Sequence, residues 1–163
     1  MAEKPVFSGI FQVGVVVKNL DDAMKKYWDI YGIGPWTIYT FNPSKVKNMT
    51  VRGKPVDYAM RVGFCFVGSL QWELIEPLDD KSIYSEFLKT KGEGLHHLAF
   101  VVENYNEVVG YLKEKGIGIL QGGTTPDGST YTYLDTQDTL YCIAEIFDLP
   151  QEVSYPTPEG TYP

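Results

Sequence analysis

One stretch of this chain occurs twice. Residues 12–27, QVGVVVKNLDDAMKKY, return in altered form as residues 97–112, HLAFVVENYNEVVGYL. In each copy an apolar run of the kind that forms a buried strand (13–17; 98–102) meets a polar break at Asn19 or Asn104, and a helix-spaced segment follows. Internal duplication constrains the architecture more than composition does, because like units must bury complementary faces against each other. The repeat sets Gln12 opposite His97, two side chains able to ligate a metal. At the far end of each unit LQWELI (70–75) matches CIAEIF (142–147), so Glu73 stands opposite Glu145. Two units that each open on a donor and close on another predict a pseudo-twofold cavity holding Gln12, Glu73, His97 and Glu145.

The rest of the chain fits that plan. Leu20, Ala23, Met24 and Tyr27 recur at helical spacing after Asn19, a side chain suited to capping a first turn, and Gly32 stops the helix. Strands are expected at 11–18, 36–41, 56–67 and 69–76, with the polar segment 42–55 between them as a mobile loop. That order makes a strand-helix-three-strand unit, and the second unit repeats it. The predicted fold is therefore α+β, two tandem βαβββ modules. The expected boundaries are 8–78 for the first module, 79–95 for a connecting helix, 96–149 for the second module and 150–163 for a proline-rich tail lying as an irregular surface arm.

Composition narrows the partners. At 163 residues and 44% apolar the chain can build one domain with a core, and its formal charge of −7 argues against nucleic acid or an anionic membrane surface. Two cysteines, Cys65 and Cys142, both in apolar runs, cannot make a disulfide framework, which points to a reducing, cytoplasmic setting. No run approaches the roughly 18 apolar residues of a membrane helix, and the start of the chain carries no targeting signal.

Strand alternation puts Gln71, Glu73 and Ile75 on one face, and Ile143, Glu145 and Phe147 on another. Carboxylates on buried faces are costly unless paired or bound to a cation, and finding one at equivalent positions of both copies points to a cationic centre between them. By the same alternation His97 shares a face with Ala99 and Val101, while His96 points away with Leu98 and Phe100. One imidazole, one amide oxygen and two carboxylates suit a divalent ion such as Zn, Ni, Co, Mn or Mg with positions left for substrate oxygens. Such a centre can grip a carbonyl and stabilise an enolate, with Glu145 or Glu73 exchanging the proton.

These residues resemble the glyoxalase, or vicinal oxygen chelate, superfamily over roughly 8–149, most closely its methylmalonyl-CoA epimerase-like sequences. The similarity runs through VGVVVKNLDDAMKKY, WELIEPLDD and KGEGLHHLAFVVEN. It implies a curved mixed-sheet half-barrel around a central cavity, a small-molecule carbonyl or thioester substrate and a homodimer. It further implies that Gln12, Glu73, His97 and Glu145 hold the metal and that Glu145 is also the base. Two departures stand out. Epimerases of this kind usually carry histidine where this chain has Gln12, and a second glutamate where it reads VRGKPVDYAM. The Gln, Glu, His, Glu set looks instead like that of some glyoxalase I enzymes, lactoylglutathione lyases in which both glutamates transfer protons. A metal-free binding or resistance protein of the same fold is a further alternative, with Tyr39, Tyr58, Trp72, Tyr131, Tyr133 and Tyr141 as aromatic walls. The basic stretch between Lys45 and Lys54 is a candidate contact for a coenzyme A phosphate.

Overall fold

The structure, a computed structural model, describes residues 5–154 and 156–163. The first module contains β1 (Gly9–Val16), α1 (Leu20–Tyr31), β2 (Trp36–Phe41), β3 (Lys47–Val51), β4 (Lys54–Pro55), β5 (Met60–Val67) and β6 (Leu70–Pro77). Helix α2 (Ile83–Lys91) leads to β7 (Gly94–Val101), α3 (Tyr105–Glu114), β8 (Ile119–Thr124), β9 (Thr130–Leu134), the short α4 (Gln137–Leu140) and β10 (Ile143–Asp148), with β11 (Gly160–Tyr162) near the end of the chain. Local signals account for the helix ends. The Asn19 side chain accepts from the Asp22 N–H at 2.9 Å, and Gly32 takes the left-handed conformation at φ 66° that stops α1. Asn104 caps α3 in the same way.

All strands join one mixed sheet in the order β11-β2-β5-β6-β1-β7-β10-β9-β8-β3-β4. The duplication is visible in this order. Each module lays its first strand parallel to its last, β1 with β6 and β7 with β10, and the two first strands meet antiparallel at the centre. Residues from both halves line a single cavity, so the sheet curves around it. Helix α1 packs Leu20, Ala23 and Met24 with Trp36 and Leu74, and α3 packs Val108, Val109 and Leu112 with Leu134, Ala144 and Ile146. A third cluster, rich in tyrosine, fills the space between the sheet and α2.

Two segments differ from the sequence expectation. The polar stretch 42–55 is not a loop throughout: β3 and β4 form a hairpin, and β3 crosses to pair with β8 of the other module, burying Val46 and Met49. Three apolar residues spaced through that stretch, Val46, Met49 and the partly buried Val51, dock it, which is why its charge concealed it. The tail is likewise not irregular to its end, since Gly160–Tyr162 adds to the edge of β2. Tyr155 of the tail lies outside the described residues.

Candidate metal centre

The junction of β1 and β7 creates the site. Across it Gln12 lies opposite Ala99 and Gly14 opposite His97, so each proposed ligand faces a small residue. Gly14 and Ala99 are themselves repeat equivalents. The need for smallness is steric: a Cβ on Gly14 would sit 1.9 Å from Cε1 of the His97 ring. Glu73 enters from β6 beside Gly14, and Glu145 from β10 beside Ala99. Glu73 and Glu145 meet at His97, Gln12 lines the same cavity as the two glutamates, and all four predicted donors are buried: Gln12 is 4% exposed, Glu73 8%, His97 0% and Glu145 2%.

The pairing of β1 with β7 is interrupted twice. Phe11 has no partner in β7, and His96 has none in β1. Each interruption is a bulge that breaks strict alternation. Phe11 and Gln12 consequently both line the cavity. His96, expected to point away with Leu98 and Phe100, instead turns inward beside His97, their Nδ1 atoms 3.0 Å apart. Its ring packs against Tyr84, Phe87 and Tyr133. Burial, and then the charge on His97, push His96 well below the usual histidine value. A neutral His96 accepts the His97 Nδ1–H, and that tautomer aims His97 Nε2 at the carboxylates, the arrangement by which an outer partner orients a metal-binding imidazole.

Seven buried side-chain polar atoms among the described residues lack a hydrogen-bond partner, and four of them are Gln12 Oε1, Glu73 Oε2, His97 Nε2 and Glu145 Oε2. Buried polar atoms are nearly always satisfied, so a cluster of orphans aimed at one another marks a place for something else. His97 Nε2 is 3.3 Å from Glu73 Oε2 and 3.1 Å from Glu145 Oε2, at contact distance yet out of hydrogen-bond alignment. Neighbouring ligands of one ion with bonds of about 2.1 Å stand about 3.0–3.4 Å apart. Among the described residues no group of three or more His, Cys, Asp or Glu stands arranged so as to hold an ion. The fit rests on the orphaned atoms, on the donor chemistry and on the tether of Gln12, whose Nε2 donates to Gln71 Oε1 at 2.7 Å and so turns its own Oε1 toward the site.

Electrostatics agree with a missing positive charge. Burial opposes protonation of His97, but the charges of Glu145 and Glu73 outweigh it and its pKa is pushed up to about 9. Burial raises Glu73 above its ordinary value; His97 opposes the rise and Glu145 adds to it. The imidazolium thus serves the two carboxylates as a substitute cation, and an incoming ion would displace its Nε2 proton.

Around this centre lies a cavity of about 380 Å³. Its floor is phenolic, made of Tyr84, Tyr131 and Tyr133: Tyr84 donates to Tyr133 at 2.8 Å, and Tyr131 shares a bond of 2.6 Å with Tyr58 behind it. Burial, reinforced by the nearby Glu charges, pushes Tyr84, Tyr131 and Tyr133 upward, so these groups stay neutral. Of the aromatic walls expected from sequence, Tyr39, Tyr131 and Tyr133 line the cavity. Tyr58 packs behind it, Trp72 lies in the cluster under α1, and Tyr141 is 91% exposed in a left-handed turn. Tyr84 and Gln71 were not anticipated. Tyr84 comes from the connecting helix, outside both repeats, and Gln71 gave only the signal of sharing a strand face with Glu73. No Lys or Arg of the basic stretch lines the cavity; Lys45 pairs with Glu159 and Arg52 pairs bidentately with Glu86.

Comparison with known proteins agrees with this architecture. A family model described as the Glyoxalase/Bleomycin resistance protein/Dioxygenase superfamily matches residues 11–133. The uncharacterized protein YqjC of Bacillus subtilis is 30% identical over 139 residues, 82% of this chain and 87% of that protein. Mitochondrial methylmalonyl-CoA epimerase of Bos taurus is 40% identical over 72 residues, 42% of this chain and 41% of that one. Methylmalonyl-CoA epimerase from Mycobacterium tuberculosis superposes with a TM-score of 0.66 at 20% identity, covering 92% of this chain and 93% of its own. An epimerase of that name in complex with methylmalonyl-CoA and NH4+ gives a TM-score of 0.63 at 22% identity, over 91% and 99%. The duplicated βαβββ plan and the sequence match agree: the chain belongs to the Glyoxalase/Bleomycin resistance protein/Dioxygenase superfamily.

Proposed function

We propose that the chain is a divalent-cation-dependent enzyme that moves a proton beside a carbonyl through an enolate of its substrate, in the manner of methylmalonyl-CoA epimerase-like proteins. One observation carries this reading. The atoms left without partners in the interior include all four donors that the duplication pairs, Gln12 Oε1, Glu73 Oε2, His97 Nε2 and Glu145 Oε2. Gln12, Glu73, His97 and Glu145 would hold the ion, whether Zn, Ni, Co, Mn or Mg. When bound, such an ion supplies Lewis acidity that draws electron density from a carbonyl and acidifies the adjoining C–H.

The chain's own groups do the rest. Glu145 takes the proton as base, and Glu73, whose carboxylate approaches the same His97 Nε2, returns one. The tyrosine floor and the apolar walls exclude water that would otherwise protonate the enolate. The acids lining the cavity are Glu73, Glu145 and Asp127, and residues 51–57 contribute none. Proton traffic between Glu73 and Glu145 is therefore the route open to it, which favours a glyoxalase I-like lyase as the second reading. The substrate is a small carbonyl or thioester compound. No helix among the described residues is long and apolar enough to cross a membrane. A homodimer is the expected assembly, and the exposed Ile10, Leu95 and Val101 on β1 and β7 offer apolar surface for a second copy.

The test is two-stage. Protein purified without chelator and reconstituted with each ion should bind about one ion per chain, and His97→Ala should lose it. Incubated in D2O with a panel of carbonyl compounds, the loaded protein should exchange a carbon-bound proton, with a loss on the order of 100-fold or more in Glu145→Gln. Exchange at the wild-type rate in that variant would remove Glu145 as base. Failure to bind any ion would favour the metal-free binding protein.

A further inference from the structure

The charges around the cavity restrict the ligand further than the proton chemistry does. The charged side chains that line it are Glu73, Glu145 and Asp127, all acidic; no Lys or Arg is among them. Asp127 sits at the mouth on the turn between β8 and β9. Thr125 Oγ1 and the Ser129 N–H both donate to its Oδ1, at 2.6 Å and 3.1 Å, and Ser129 Oγ donates to its Oδ2 at 2.9 Å. Those bonds outweigh its modest burial and keep it ionised. Of the nearby basic stretch, Lys45 pairs with Glu159 and Arg52 with Glu86, and neither Lys47 nor Lys54 lines the cavity. Beyond the four donors the wall turns apolar, with Phe11, Phe41, Phe64 and Phe147 facing inward.

A divalent ion held by two carboxylates is neutral overall, so the filled centre offers no surplus attraction for a second anion. An anionic group placed away from the chelating oxygens would leave water for an aromatic wall, find no cation, and meet Asp127 on the way in. We propose that the part of the substrate held inside the cavity is a carbonyl head with a neutral, apolar, ring-sized body, and that the cavity discriminates against ligands that bring a carboxylate or phosphate against its aromatic wall. This rests on the cation-dependent reading above for the chelating end, and on the wall alone for the body.

The test uses matched ligands. α-Hydroxyacetophenone and its para-carboxylate share a chelating head and differ by one distal charge. Calorimetric titration of Mn-loaded protein should find the para-carboxylate at least tenfold weaker. Val153 lines the mouth and is 44% exposed, apart from the donors, and Val153→Lys should bring the pair within about threefold. Equal or tighter binding of the carboxylate to the wild type, or a ratio unmoved by the lysine, would overturn the proposal. A second pair without the hydroxyl, acetophenone and 4-acetylbenzoate, titrated by NMR into metal-free protein, should show the same preference. If no ion binds, the cation-dependent reading fails, while this second ratio still decides whether the wall rejects anions.

Discussion

Gly14→Ala tests the geometry of the centre at its tightest point. The added Cβ would lie 1.9 Å from Cε1, 2.3 Å from Nε2 and 2.4 Å from Nδ1 of His97. Restoring ordinary contact at about 3.5 Å requires a displacement of roughly 1.6 Å. The ring is fully buried, hemmed by His96, Tyr133 and both carboxylates, and has no free direction of retreat. Overpacking of this kind costs about 1–3 kcal/mol, a fall of about 2–12 °C in Tm for a chain of this size. Coordination tolerates distance errors of about 0.2 Å, so ion affinity should fall at least 10–100-fold. Differential scanning calorimetry and isothermal titration read the two effects separately. The decisive control is Gly14→Ala in a His97→Ala background. With the ring gone the added methyl meets nothing in that direction, and its stability cost should shrink to within about 0.5 kcal/mol. A Gly14→Ala protein that keeps its Tm and binds the ion as tightly as wild type would refute the placement of His97.

Two further outcomes follow from the same site. Because the folded His97 pKa is raised from 6.5 to about 9, the ion-free protein should draw stability from its imidazolium fully below pH 6.5 and lose it as pH rises through 9, and apparent ion affinity should rise about tenfold per pH unit across that window as one proton is displaced; an affinity flat from pH 6 to 9 would contradict this, and His97→Gln should abolish the slope. Gln71→Leu removes the acceptor that turns the Gln12 amide, leaving a buried donor unpaired at a cost of about 1–3 kcal/mol and weakening the ion about tenfold, so an unchanged affinity in titration would mean that Gln12 needs no tether.

What sequence could reveal here depended on the kind of signal. The duplication registered Gln12 with His97 and Glu73 with Glu145; the structure brings Glu73 and Glu145 to His97 and sets Gln12 on the cavity that both glutamates line, because each module folds the same way about the β1–β7 junction. Capping at Asn19 and Gly32 was equally legible, since it depends on neighbours along the chain. Contacts created between the modules were not. Nothing near His96 forecasts the bulge that turns it inward, because a bulge depends on register with the partner strand. The β3–β4 hairpin looks polar because Lys45, Lys47, Arg52 and Lys54 crowd it, while Val46, Met49 and the partly buried Val51 pack it against the core. Tyr84 was missed for a similar reason, since it reaches the cavity from a helix belonging to neither repeat.

The central claim is that an amide, an imidazole and two carboxylates hold one ion, and anomalous diffraction from crystals soaked in Co2+ or Mn2+ examines it directly. A single peak about 2.0–2.3 Å from Gln12 Oε1, Glu73 Oε2, His97 Nε2 and Glu145 Oε2 is the expected result. No peak there, with the imidazolium still wedged between the glutamates at saturating ion, would contradict it.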